Sequence, residues 1–212
     1  VETIADVVEF DEWFQRGGDR PIAVDTEGTG LSPERDHVRM VQVGDDKHGW
    51  ALPWERWSGA FIDVINRMFA RWRSPVWMHN AKFDYAFLTK AGAKLDRSRI
   101  QDTRIMAHIH DPLYSTALKK LAGRHVDPQA AGLQDTLSST LSSGSNEGGW
   151  TWATVPCDYE PYWTYAALDV ILTRQLGDVL YPLVKDIPAF DIENSVALVA
   201  EGMERNGAHV DV

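Results

Sequence analysis

Two carboxylates one residue apart follow an apolar run near the start of the sequence. The segment IAVDTEGTGL (Ile22–Leu31) places Asp25 and Glu27 at the end of a predicted buried strand. Residues two apart on a strand project to the same side of the sheet, so both carboxylates should enter one small volume. Like charges held together repel unless a cation lies between them, and oxygen ligands without a cysteine cluster favour Mg²⁺ or Mn²⁺. Alone the signal is weak, because a solvated strand end can have the same pattern.

Two later segments place polar residues where they could join this pair. In HNAKFDYAFL, Asn80 is positioned to cap a helix and Asp84 lies one turn into it, although a plain cap with a solvated acid explains this equally well. In YWTYAALDVILTRQL, Tyr165 and Asp169 are four residues apart and share one face of an apolar helix. An aspartate among leucines and valines is costly to bury without a partner, and a metal ion would supply one.

In this order, the segments DTE, NAKFD and YAALD resemble the three motifs of the DEDD superfamily of 3′-5′ exonucleases, in the subtype with tyrosine in the last motif. The subtype with histidine is disfavoured, because no histidine lies in the turns before Asp169. DTEGTGL and QDTRIMAHIHDP are most similar to the proofreading exonuclease domain of family A DNA polymerases, of the DNA polymerase I type. The resemblance implies a ribonuclease H-like α/β fold and a metal-dependent 3′-5′ exonuclease that removes nucleotides from DNA.

The resemblance also implies a role for each motif residue. Asp25, Glu27 and Asp169 would hold one divalent cation, and Asp84 with Asp25 a second, either Mg²⁺ or Mn²⁺. Tyr165 with Glu27 would orient the attacking water, because a tyrosine with a pKa of about 10 is a poor base at neutral pH. Four residues are implied at the terminal nucleotide, with core packing as the competing role of the last: Thr29, Leu31, Asn80 and Phe83.

Hydrophobic periodicity predicts the elements that position these residues. IAVD, HVRMVQVG and GWALPW predict a three-stranded antiparallel meander, and PVWMHN and RIQDT add parallel strands to give a mixed sheet flanked by helices. Asp102 would belong to the site or cap the helix from Thr103, and all nine tryptophans are assigned to packing. Helices are predicted at IADVVEFDEWF, Trp57–Trp72, Ala81–Ala91, Thr103–His110, Thr116–Gly123, Gln129–Leu141, Glu160–Leu183 and Pro188–Asn206, with a loop at Ser142–Gly149.

Composition indicates a globular protein without a membrane partner. Hydrophobic residues make up 44% and charged residues 25%, and the apolar runs are too short to span a bilayer. With no signal peptide, we expect a cytoplasmic monomer, nucleoid-associated or phage-encoded in a host cell. The net charge of −10 argues against binding nucleic acid by bulk electrostatics, but nine basic residues against three acidic ones between Arg67 and Arg104 offer one face to a polyanion.

The resemblance divides the chain into two parts. Residues 1–187 are predicted to form the exonuclease domain, and 188–212 a C-terminal helix whose tail, IENSVALVAEGMERNGAHVDV, resembles the start of a polymerase portion. The implied partners are a single-stranded or frayed DNA 3′ end and a polymerase portion of the same chain. Two alternatives stay open: an RNA 3′-end trimming enzyme of the ribonuclease D type, and an exonuclease fold retained as an inactive binding module.

Overall fold

A computed structural model of the protein describes residues 1–16, 20–132, 139, 141 and 149–207. Its five strands are β1 (Ile22–Gly28), β2 (Val38–Gly44), β3 (Gly49–Pro53), β4 (Val76–Met78) and β5 (Ile100–Asp102). The longer helices of the described residues are α1 (Ile4–Arg16), α2 (Trp54–Arg71), α3 (Ala81–Lys90), α4 (Thr103–His110), α5 (Leu118–His125), α6 (Glu160–Val184) and α7 (Pro188–Asn206). Among these helices, none is both long and apolar enough to cross a membrane.

The strands form one mixed sheet in the order β3-β2-β1-β4-β5. Pairing is antiparallel between β1 and β2 and between β2 and β3, which confirms the predicted meander. β4 and β5 extend the sheet as parallel strands beside β1. The predicted α/β fold class, with helices flanking a mixed sheet, is therefore confirmed.

Alternate residues of the strands face two separate cores. Ile22 and Val24 of β1 pack with α1, α2 and α3, whereas Ala23 packs with α4, α5 and α6. Because the side-chain period of a strand is two, Asp25 and Glu27 continue the face of Ala23 and point toward α6. The sheet thus delivers both carboxylates to one side, as the sequence predicts.

The predicted helices differ most from the structure in three places, and the other bounds differ by at most two residues. α2 begins at Trp54, with a bend at Trp57 (φ −133°, ψ 19°), where a helix start was predicted. α5 begins at Leu118 instead of Thr116, because Ala117 has an extended backbone. The helix predicted from Gln129 begins as a 3₁₀ turn at Pro128–Gly132, and most of its remainder lies outside the described residues, as does most of the predicted loop at 142–149.

Candidate active site

Three carboxylates from two elements meet at the carboxyl end of β1. The side chains of Asp25 and Glu27 face Asp169 of α6, and one oxygen from each of the three carboxylates lies within 4.8 Å of the others. Oxygen ligands bind Mg²⁺ or Ca²⁺ at about 2.0–2.6 Å, so oxygens with this spacing can contact a single ion. The structure therefore brings together three of the four predicted metal ligands in an all-oxygen set.

Helix α6 reaches this position because it packs very closely on the sheet. A Cβ atom added to Gly49 of β3 would overlap the backbone oxygen of Ala167, two residues before Asp169. A Cβ at Gly177 would lie 2.9 Å from the ring of Trp77 on β4. Both glycines are required by close packing, which sets the distance between Asp169 and β1.

Asp84, the fourth predicted ligand, approaches Asp25 from the opposite face of β1. Its Oδ1 atom accepts hydrogen bonds from the backbone N–H of Thr26 at 3.0 Å and from the Thr26 hydroxyl at 2.7 Å. Thr26 projects away from its two acidic neighbours. The carboxyl group of Asp84 nevertheless reaches Asp25, because a side-chain hydrogen bond with Asp84 acts to lower the pKa of Asp25. Burial, and then the nearby charge of Asp25, raise the pKa of Asp84 well above its usual value.

Burial also shifts the carboxylates of β1. It raises the pKa of Asp25 to about 6, while the ammonium of Lys119 acts in the opposite direction. It raises the pKa of Glu27 to about 8, and the charge of Asp25 adds to that rise. Desolvation and like charge both disfavour the ionised forms, whereas a bound divalent cation favours them. The electrostatics of the site therefore fit a group of cation ligands.

Lys119 is a residue of this site that the sequence analysis missed. It lies on α5, is 5% exposed, and its ammonium forms an ion pair with Asp169. Burial lowers the pKa of Lys119 to about 8, and the charges of Asp25 and Glu27 partly offset that effect. The available signal was its helical position, because Lys119 lies three residues before the buried Ala122 and so shares the apolar face of α5.

Tyr165 forms the wall beside the carboxylates. The Lys119 ammonium lies 4.3 Å from the centroid of its ring, and the ring of Trp152 lies 5.7 Å away. Burial, followed by the charges of Glu27 and Asp25, raises the pKa of Tyr165 above its ordinary value of 10. The phenol is therefore protonated at neutral pH and can act as a hydrogen-bonding group, which agrees with the predicted orienting role better than with a base.

An open cleft of about 630 Å³ leads to these side chains. Leu31, one of its lining residues, is 84% exposed and does not pack in the core. Trp152 departs from the assignment of all tryptophans to packing, because it also lines this cleft. The lining residues are Thr26, Glu27, Gly28, Thr29, Gly30, Leu31, Phe83, Thr151, Trp152, Ala153 and Tyr165.

Asn80, the remaining predicted substrate residue, lies in an adjoining groove of about 570 Å³ that Leu31 and Phe83 also line. The prediction that its side chain caps α3 is wrong. Asn80 occupies the N-cap position in the left-handed region (φ 74°), and its amide oxygen instead accepts from the Arg104 guanidinium at 3.0 Å. A left-handed backbone directs the side chain away from the helix N–H groups, so another residue must satisfy them.

That residue is Asp102 at the end of β5. Its Oδ1 accepts from the N–H groups of Asn80 at 3.0 Å and Arg104 at 2.8 Å, and its Oδ2 accepts from Ala81 at 2.8 Å. One carboxylate therefore caps both α3 and α4, which confirms capping of the helix from Thr103. Asp102 supports the helix that contains Asp84 without belonging to the group of three carboxylates.

The segment that contains Trp152 is fastened to β2 by a buried arginine. Arg39 donates hydrogen bonds to the carbonyl oxygens of Trp152 and Val155, both at 2.7 Å. Its guanidinium also pairs with Glu55 of α2 at 2.7 Å and is 5% exposed. These contacts fix the wall of the cleft opposite β1.

Comparisons with known sequences give a family match over most of the chain. The sequence model of the 3′-5′ exonuclease family matches residues 1–185. The DNA polymerase of Mycobacterium phage D29 is 26% identical, with 94% of this chain and 35% of the polymerase covered. The DNA polymerase of Mycobacterium phage L5 is 27% identical, with 100% of this chain and 38% of the polymerase covered. The chain spans little more than a third of the length of these curated relatives.

Solved structures share the fold over a similar extent. One described as the apo form of a nuclease has a TM-score of 0.67 and 21% identity, covering 92% of this chain and 89% of its own. Brucella melitensis NrnC with bound Mg²⁺ has a TM-score of 0.64 and 20% identity, with coverages of 91% and 89%. The Trypanosoma brucei RNase D complex with GMP has a TM-score of 0.66 and 18% identity, with coverages of 95% and 61%. These likenesses show a shared ribonuclease H-like fold.

Proposed function

The chain belongs to the 3′-5′ exonuclease family, and from this premise we propose that it removes nucleotides from DNA 3′ ends as the proofreading domain of a DNA polymerase. One observation carries the proposal. The carboxylates of Asp25, Glu27 and Asp169 converge beside an open cleft that could admit the 3′ end of a nucleic acid strand. The two phage relatives, both named DNA polymerase, favour DNA as the substrate and a polymerase portion as the partner.

Four carboxylates of this chain supply the proposed metal ligands. Asp25, Glu27 and Asp169 would hold one divalent cation, and Asp84 would share Asp25 in holding a second. Divalent ions supply positive charge that offsets the negative charge of phosphate and activates water for attack. The chain's part is to fix these oxygens on packed elements, β1 and α6, so that little freedom is lost when a cation binds. Mg²⁺ and Mn²⁺ both suit such a donor set.

The remaining residues of the site would position water and substrate. Tyr165, protonated at neutral pH, would hydrogen-bond the attacking water together with Glu27. Thr29 and Leu31 would contact the terminal nucleotide, with Phe83 beside them and Asn80 in the adjoining groove. The aromatic surfaces at the cleft suit bases of any sequence, since every base has a face on which to stack.

The proposed substrate is tested with matched 5′-labelled DNA and RNA oligonucleotides of one sequence. We expect stepwise shortening from the 3′ end of single-stranded DNA with Mg²⁺ or Mn²⁺, and slower shortening of the RNA. A marked preference for RNA would overturn the choice of DNA in favour of an RNA-trimming enzyme. A second measurement compares the rates at which 3′-phosphorylated and 3′-hydroxyl oligonucleotides are shortened. It shows whether the cleft distinguishes the two kinds of 3′ end.

The proposed mechanism is tested by the double substitution Asp25→Ala with Glu27→Ala. We expect nucleotide release to fall at least about 100-fold, because the remaining oxygens hold a cation poorly. The matched control is Glu9→Ala with Glu193→Ala, which removes two exposed acids from α1 and α7 and should retain activity. Equal release by the wild type and the Asp25 and Glu27 variant would contradict the mechanism and favour an inactive binding module.

A further inference from the structure

Lys119 occupies the place where a cation of the site is needed. It is the only buried lysine in the described part of the chain. Its ammonium pairs with Asp169, and the charges of Asp25 and Glu27 also act on it. A lysine is rarely buried unless it is paired, and here the partners are the same carboxylates that form the proposed metal site.

The helix that contains Lys119 is anchored, which fixes where the side chain begins. Leu121 and Ala122 of α5 are buried against α6 and the 3₁₀ turn that follows α5. Just before the helix, the carbonyl oxygen of Thr116 accepts a hydrogen bond from Nε2 of His79 at 2.9 Å. The backbone at Lys119 is therefore set by packing, whereas its four-carbon side chain keeps rotatable bonds that allow the ammonium to move.

The charge balance of the site depends on this one ammonium. Arg39 is the other cation that acts on Glu27, but its guanidinium is already paired with Glu55. Asp84 adds a further carboxylate beside Asp25 and brings no positive charge. Without Lys119 or a bound ion, the three converging carboxylates would face one another with no close counter-charge from the residues that the structure describes.

We propose that Lys119 is the resident counter-ion of the carboxylate site, paired with Asp169 until a divalent cation takes that oxygen and the ammonium withdraws. The inference rests on the proposed function, because it assumes that these carboxylates bind divalent cations. Lys119 thus acts through Asp169 as a positioning residue: it holds the ligands in place in the metal-free protein and competes with the metal for them. Removing its charge should weaken the metal-free fold and tighten metal binding at the same time.

The test substitution is Lys119→Met, which keeps most of the side-chain length and removes the charge. Lys120→Met is the matched control, because Lys120 is the exposed next residue of the same helix and its replacement changes the net charge equally. Lys119→Gln serves as a second neutral variant if Lys119→Met does not fold. Mn²⁺ is the probe, with its dissociation constant measured from the electron paramagnetic resonance of free Mn²⁺.

We expect Lys119→Met to bind Mn²⁺ about tenfold more tightly than the wild type, since a nearby positive charge no longer opposes the ion. In EDTA we expect its Tm to fall by about 5 °C, because the carboxylates lose their counter-charge. Lys120→Met should match the wild type in both measurements. A merely structural lysine would lower the Tm without tightening Mn²⁺ binding, so unchanged or weaker binding would overturn the proposal.

Failure of the counter-ion proposal differs from failure of the proposed function. If Lys119→Met binds Mn²⁺ with wild-type affinity while wild-type protein still shortens DNA, the competition is refuted and the exonuclease assignment stands. If neither protein binds Mn²⁺ and the wild type releases no nucleotide, both are overturned.

Discussion

At the residue scale, the environment of Asp25 and Glu27 determines the pH at which their carboxyl groups ionise. Their pKa values in the folded protein, about 6 and about 8, lie above the ordinary values of 3.8 and 4.5. A group whose pKa rises on folding contributes stability that is complete below its ordinary value and is lost as the pH rises through the folded value. The two groups therefore stabilise the metal-free protein in acid and lose that contribution toward neutral and basic pH.

We predict that the double substitution Asp25→Asn with Glu27→Gln removes the loss of stability that these two groups cause as the pH rises. In EDTA, the difference in free energy of unfolding between wild type and variant should decline from about pH 4 to about pH 8. Comparing the wild type with the variant is necessary because His79 also makes stability depend on pH. Burial lowers the pKa of His79 to about 4, so its contribution to stability rises with pH over part of that range. Chemical denaturation at several pH values measures the difference between the two proteins. Parallel curves for the two proteins would show that neither carboxylate has a raised pKa.

A second prediction concerns the hydroxyl of Tyr165. We expect Tyr165→Phe to lower kcat by about 10- to 100-fold and to leave Mn²⁺ affinity near that of the wild type, because in the proposed mechanism the phenol positions water and is not a metal ligand. Tyr162→Phe is the control, since Tyr162 is a fully buried tyrosine one turn earlier on α6 that does not line the cleft. Equal loss of metal affinity in Tyr165→Phe would contradict an orienting role.

At the element scale, the site depends on segments that lack a local sequence signal. The spacing in DTEG and YAALD predicts the faces of β1 and α6, because strand and helix periods fix which residues lie together. The helical position of Lys119 indicates that it faces the core, but nothing local indicates that α5 pairs it with Asp169, or that the segment after Gly149 brings Trp152 to Tyr165. Those contacts depend on long-range packing, which a single sequence does not specify.

Arg39 offers a prediction at this scale, because it joins β2, α2 and the segment of Trp152. We expect Arg39→Met to lower the free energy of unfolding by about 2–4 kcal/mol, since Glu55 and two carbonyl oxygens lose their donor. It should also raise KM more than it lowers kcat, because the cleft wall loosens while the carboxylates stay in place. Arg56→Met, an exposed arginine beside Glu55 on α2, is the control for removal of one charge. Wild-type kinetics together with a lower Tm would limit Arg39 to a role in stability.

At the scale of the whole molecule, sequence patterns predict the sheet better than its surroundings. The meander and the parallel strands follow from alternation and from the buried runs, and they determine the edge at which the acidic residues appear. Sequence alone did not show that Asp84 approaches from the opposite face through Thr26, because that depends on where α3 crosses the sheet. The division at residue 187 stays a prediction, although α7 packs on the domain through Phe190 and Leu198.

Contacts with α7 also neutralise part of the basic segment between Arg67 and Arg104. Lys82 pairs with Glu204 at 2.7 Å, and Arg97 contacts Glu201 at 3.5 Å. Part of the positive charge that could face a polyanion is thus offset by acids of α7. With a net charge of −10, attraction of the proposed nucleic-acid substrate would depend more on charge at the site than on the charge of the protein as a whole.

The last prediction concerns the effect of metal binding at the carboxylate site on thermal stability. If the carboxylates bind a cation as proposed, they do so only in the folded arrangement, so Mg²⁺ or Mn²⁺ should raise the Tm by about 5–10 °C at about 100 times its dissociation constant. The variant Asp25→Ala with Glu27→Ala should lose most of that rise, whereas Glu9→Ala with Glu193→Ala should keep it. Scanning calorimetry in EDTA, in metal and in NaCl of equal ionic strength separates the site from general screening of the negative charge. An equal rise in all three proteins would place the metal effect on the surface and not at Asp25, Glu27 and Asp169.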